Sequence, residues 1–164
     1  MTYLLIAFVL AIILSPLMWF RQSPRQKLIT DMRKEAAAKG LRVKLSKPAD
    51  AREGEGRLEY VTYRLPWATD SDPSIEAVME KWLLIKDTRR GDPSPWSPWQ
   101  WLGYESNELL HDVIGDVIKS LPADVVALEV CKSGVLVFWQ ERGSLDDVTV
   151  IYNQLHKLRT RIRN

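Results

Sequence analysis

The chain has 164 residues, with 23 Lys and Arg against 21 Asp and Glu and a net charge of +2. That balance excludes a domain drawn by bulk charge onto nucleic acid. The length allows one modest domain beside any anchor, and the single cysteine, Cys131, excludes an internal disulfide and fits a reducing compartment.

Met1 to Phe20 carries no charged side chain. About 20 helical residues span about 30 Å, the thickness of a bilayer core. No Lys or Arg precedes the run, and it ends on the bulky Leu17, Met18, Trp19 and Phe20. A retained transmembrane anchor is therefore favoured over a cleaved signal peptide. Arg21, Arg25, Lys27, Arg33 and Lys34 follow it, and the positive-inside rule puts them in the cytoplasm. The expectation is a single-pass bacterial inner-membrane protein with its N-terminus outside. It divides into an anchor (1–20), a basic juxtamembrane helix (21–40) and a cytoplasmic domain (41–164). Arg21, Arg25 and Lys27 are candidate lipid headgroup contacts. Ala7, Ala11 and Ser15, four residues apart, form a small-residue face for helix–helix contact.

Ser23, Pro24 and Gln26 make an N-cap, a first-position proline and a capping box, so a helix should run from Pro24 to Lys39. Gly40 is its stop. Leu41, Val43 and Leu45 alternate with polar residues, as in a half-buried strand. Lys47 to Gly56 reads as a loop, Arg57 to Leu65 as a strand ended by Pro66, and Ala68 to Ser74 as a turn. Over Ile75 to Lys86 a strand is favoured in the second half.

Arg89 to Tyr104 is the most unusual stretch, with Trp96, Trp99, Trp101 and Tyr104 set among Pro93, Pro95 and Pro98. Three readings stand open. The rings can fold back as a satellite core, form a partner surface, or sit at a membrane interface. All four are candidate interface residues.

A helix capped by Ser106 or Asn107 should reach Leu121, with Leu109, Leu110, Val113, Ile114, Val117 and Ile118 on its apolar face. Val125 to Cys131 and Val135 to Glu141 read as a hairpin around Lys132, Ser133 and Gly134. A last helix presents Leu145, Val148, Ile151, Leu155, Leu158 and Ile162 on one side. The fold class expected is α+β, a transmembrane helix followed by a small, mostly antiparallel sheet packed with two or three helices.

Enzyme constellations are sparse. Glu108 and His111 have a di-metal spacing, but His156 lacks the partner motif. No metal, cofactor or catalytic residue is assigned. The anchor, the Arg-Gln-Ser-Pro-Arg-Gln-Lys stretch from Arg21 to Lys27, the helix and the β-rich part after it resemble the YajC-type accessory subunit of the bacterial Sec translocase, mainly over Leu4 to Lys44. The same region resembles small inner-membrane proteins of proteobacteria. The Trp-rich loop and the long last helix depart from the YajC-type pattern. The expected function is a non-enzymatic scaffold or accessory subunit of a membrane complex, with a protein partner or a second copy bound. The alternative is a membrane-proximal sensor or small-ligand module with a cleft near Trp96 to Tyr104.

Overall fold

The computed structural model describes Tyr3, Ile6, Phe8 and residues 23–51, 60–67 and 81–163. The helix α1 (Pro24–Ala38) begins where the sequence places it. The Ser23 hydroxyl accepts from the Gln26 amide at 3.2 Å, and the Gln26 side chain accepts from the Ser23 amide at 3.3 Å. Two amides that lack helical partners are thereby satisfied. Gly40, at φ +82°, turns the chain out of the helix, and Leu41 bonds back to the Ala36 carbonyl at 2.9 Å.

Seven strands follow: β1 (Arg42–Ser46), β2 (Tyr60–Leu65), β3 (Trp82–Lys86), β4 (Asp92–Pro93), β5 (Trp99–Trp101), β6 (Val125–Cys131) and β7 (Gly134–Trp139). Between β5 and β6, a 3-10 turn (Glu108–Leu110) leads into α2 (His111–Ser120). The last helix is α3 (Leu145–Arg163). The strands form one sheet in the order β1-β2-β7-β6-β3-β5-β4, and every pairing is antiparallel. The β6–β7 hairpin at its centre forms around Lys132 and Ser133 as expected.

Alternation along the strands makes two faces. One face carries Val61, Tyr63, Leu65, Trp82, Leu84, Leu128, Val130, Val135, Val137 and Trp139. All three helices close over it, with Met32 and Ala36 from α1, Ile114 and Val117 from α2, and Val148, Ile151, Leu155 and Leu158 from α3. Each Val, Leu, Ile or Met side chain among them contributes about 1.5–3 kcal/mol on full burial, so this layer dominates stability. The other face holds a smaller cluster of Ile85, Ala127, Leu136 and Phe138, against which Ala49 packs. Leu109 and Leu145, expected on buried helix faces, are exposed because each stands at the start of its element, before the helix meets the sheet.

The single-pass expectation is corrected. Among the described residues, no helix is long and apolar enough to cross a membrane. The longest described helix, α3, has 19 residues and carries Asp146, Asp147, Lys157, Arg159, Arg161 and Arg163, so it is amphipathic and lies on the sheet. Met1 to Phe20 lies outside the described residues apart from Tyr3, Ile6 and Phe8, which are helical and exposed. The expected inner-membrane location and membrane-complex role therefore have no described helix to support them. The loop over 52–56, the start of the 57–65 strand, the 68–74 turn and the small-residue face of Ala7, Ala11 and Ser15 also lie outside the described residues.

Candidate functional site

Three places draw together the polar or aromatic groups that could act on another molecule. The first is the Trp-rich segment, expected as a loop and found to contain β4 and β5. Because β5 alternates, Trp99 and Trp101 point to the helix-covered face and Gln100 away from it. Trp101 is 1% exposed and Trp99 7%. The Trp101 ring meets Trp82 edge-on with centroids 5.7 Å apart, meets Trp96 at 5.9 Å, and stacks on His111 at 6.2 Å. Trp96 stands edge-on to His111 at 5.2 Å, and its indole rests in a notch made by Gly115 of α2. A Cβ on Gly115 would lie 2.7 Å from Trp96 Nε1. The turn is fixed by Ser94, whose hydroxyl donates to the Trp99 carbonyl at 2.6 Å and accepts from the Trp96 amide at 3.1 Å. Of the four aromatic candidates, Trp99 and Trp101 thus lie in the core, Trp96 is half-buried and Tyr104 is exposed. A surface cavity of about 410 Å3 lies beside Trp96, with Asp112, Asp116 and Lys119 along its rim.

The second place is a polar cluster on the far flank. Glu141 follows β7 in the left-handed region, at φ +53°, and is 4% exposed. Its carboxylate accepts from Arg33 Nε at 2.8 Å, from Arg33 Nη2 at 2.6 Å and from the Tyr63 hydroxyl at 2.7 Å. Its backbone carbonyl accepts from Arg25, which also donates to the Gly143 carbonyl at 3.3 Å. A carboxylate, a phenol and a guanidinium look like acid–base machinery, yet here each one spends its bonding on the others. Burial first, and the bond to Glu141 second, hold the Tyr63 phenol well above the ordinary tyrosine range. The hydrogen bond to Glu141 raises the Arg33 guanidinium in the same way. The cluster works as a clasp that fixes α1 to β2 and to the β7–α3 connection.

That clasp gives part of the basic run a different role from the one its sequence suggested. Arg25 and Arg33 turn inward to Glu141, Lys27 is exposed, and Arg21 lies outside the described residues. Sequence reasoning missed Glu141 altogether. No motif surrounds it, and Arg33 stands 108 positions away.

The third place is the edge strand β1. Its inner side pairs with β2, and its outer side has no strand partner among the described residues. Val43 and Leu45 share the helix-covered face with Tyr63 and Val61, and Leu45 is 51% exposed. Arg42 and Lys44 lie on the opposite face, where Arg42 stands across from Arg64. Lys47 follows, and no acid interrupts the run from Arg42 to Pro48. Glu129 lies on the same face in the row through Leu136 to Arg64, and Arg64 and Lys81 act on its carboxylate. The other edge, β4, offers only Asp92 and Pro93, and the proline has no N–H to donate.

Among the described residues, no group of three His, Cys, Asp or Glu is placed to hold a metal ion. Glu108 and His111 sit at the turn entering α2, and the Cys131 thiol lies 3.1 Å from the Ser133 hydroxyl in the β6–β7 turn. No family model, no curated protein and no solved structure matches the chain.

Proposed function

We propose that this protein is a non-enzymatic adaptor domain that receives an extended, acidic segment of a protein partner along the outer edge of β1. One observation carries the reading: β1 is a five-residue edge without a strand partner among the described residues, and the exposed Lys44 gives one face of it positive charge. Backbone N–H and C=O groups on such an edge supply affinity, and alternate side chains supply specificity. The exposed Lys44 favours an acidic strand over a basic one. The clasp supports the non-enzymatic part, since its carboxylate, phenol and guanidinium are committed to each other.

The test is an NMR titration of the full chain with short extended peptides, either acidic, neutral or basic, in which Thr and Val alternate with the variable residue. The acidic peptide should shift the amides of residues 42–46, bind more weakly as salt rises, and lose binding when Arg42→Glu and Lys44→Glu are combined. Equal binding of the basic peptide, or no shift in β1, would refute the proposal. Concentration-dependent broadening of β1 without peptide would instead put a second copy of the chain on the edge.

A further inference from the structure

Apolar rows cross the helix-covered face of the sheet from strand to strand, and one of them ends in the open. One row runs from Trp139 through Val61 to Leu45, and the next runs from Val137 through Tyr63 to Val43. Trp139, Val137, Tyr63 and Val61 are buried, Val43 is half-buried, and Leu45 is exposed. Inside a sheet a side chain is screened from both sides by its cross-strand neighbours. Leu45 has one such neighbour, Val61, and among the described residues no strand lies on its other side. The exposed Lys44, between Val43 and Leu45 in the chain, stands on the opposite face.

We propose that the partner segment docked on β1 is itself two-faced, with branched apolar residues alternating with acidic ones, and that Leu45 selects the apolar set. This inference rests on the strand docking described above and names the pattern the partner carries. An added strand keeps the period of two, so every second side chain falls in line with Val43 and Leu45, and those between fall on the face of Lys44. A branched apolar residue in line with Leu45 continues the row and takes apolar area of both side chains out of water. A small polar residue there leaves Leu45 wet on that side. Lys44 favours carboxylates at the intervening positions. The same lysine argues against a second copy of the chain as the occupant. Two β1 strands paired antiparallel about their centres would set Lys44 directly against Lys44, and like charges so placed are unfavourable. Lysine on an edge strand thus discourages self-pairing while the apolar side stays open to a partner.

The experiment titrates the full chain with short extended peptides in which Glu alternates with Leu, Glu with Ser, or Lys with Leu. Binding is followed by the amides of residues 42–46 and by the Leu45 methyl groups. The Glu–Leu peptide should bind about tenfold more tightly than the Glu–Ser peptide and shift the Leu45 methyls. Leu45→Ser changes an exposed side chain, so the domain should stay folded by circular dichroism. That variant should lose most of the preference for Leu over Ser and keep the preference for Glu over Lys, whereas Leu45→Ile should keep both. Lys44→Gln should do the converse of Leu45→Ser, losing the preference for Glu and keeping the preference for Leu. Equal binding of the two acidic peptides at β1, or a folded Leu45→Ser variant that still prefers the Glu–Leu peptide as strongly, would overturn this inference and leave the strand docking standing. Equal binding of the Glu–Leu and Lys–Leu peptides would overturn the acidic half of the pattern and the docking proposal with it. No shift of residues 42–46 with any peptide would overturn both.

Discussion

The two flanks of the sheet are fastened by opposite chemistry. On the β4–β5 side, Trp82, Trp96, Trp101 and His111 interlock ring against ring, and β4 closes the edge with a proline. On the β1–β2 side, Arg25, Arg33 and Tyr63 converge on Glu141. Aromatic packing is non-directional in its main term and tolerates the short, irregular strands found there. A charge-assisted cluster demands fixed donor geometry, and it holds α1 at one angle beside β1. The aromatic flank spends its apolar surface internally. The polar flank leaves a regular strand edge without a strand partner among the described residues. That difference is why the proposed strand docking is assigned to the flank where α1 is clasped.

The largest way to break the comparison is Trp101→Ala, which removes the ring that touches Trp82, Trp96 and His111. It should cost about 3–5 kcal/mol, read as a lower denaturant midpoint with an unchanged slope. Glu141→Ala should come next. A fully buried ion pair that loses one partner costs about 3–5 kcal/mol, but the Arg33 side chain is 40% exposed and can rehydrate, so about 2–3 kcal/mol is expected. Amide exchange should rise in α1 for this variant and stay unchanged in β5. If exchange rises evenly across the sheet, the clasp is not a local fastening.

Gly115→Ala sharpens the aromatic side. Helix propensity alone predicts a gain of about 1 kcal/mol, whereas the new methyl would press on Trp96 Nε1 at a cost of about 1–3 kcal/mol. Because Trp96 is half-buried and can swing outward, the expected net loss is about 1 kcal/mol. A stabilised variant would show that the indole does not need its notch.

The smallest effect at neutral pH concerns Tyr63. Its folded phenol is held above its unfolded value by burial and by Glu141, so its contribution to stability is complete below the ordinary tyrosine range, near pH 10. It is lost as pH rises beyond that range through the folded value. An alkaline titration followed by phenolate absorbance should leave Tyr63 protonated until the domain unfolds, and Tyr63→Phe should remove that late step. A Tyr63 that ionises within the ordinary tyrosine range while the domain is still folded would break the clasp model.

Some of this organisation was legible residue by residue. Ser23 and Gln26 predict the capping box that forms, and Gly40 stops α1 as expected, because both signals act within one helical turn. Lys132 to Gly134 predict the central hairpin for the same reason. The Trp-rich segment was less readable. Its prolines suggest a loop, but Trp99 and Trp101 gain more by alternating into the core than the loop gains by staying open. Arg25 and Arg33 look like surface charge in any local window, since their shared partner stands more than a hundred positions later. Among the described residues no helix is long and apolar enough to cross a membrane, and apolar content over a window states a cost of exposure without saying what meets it.

By itself the sequence determined the limits of α1, the central hairpin, the apolar stripe of α3 and the α+β class. Each of these depends on dihedral preferences, caps or periodicity over a few residues. Only the tertiary structure decided the strand order, the burial of Trp99 and Trp101, the turning inward of Arg33, and the choice of β1 as the long open edge. These depend on contacts between residues far apart in the chain. Such contacts follow from how the whole sheet closes its apolar face, and no local pattern encodes them.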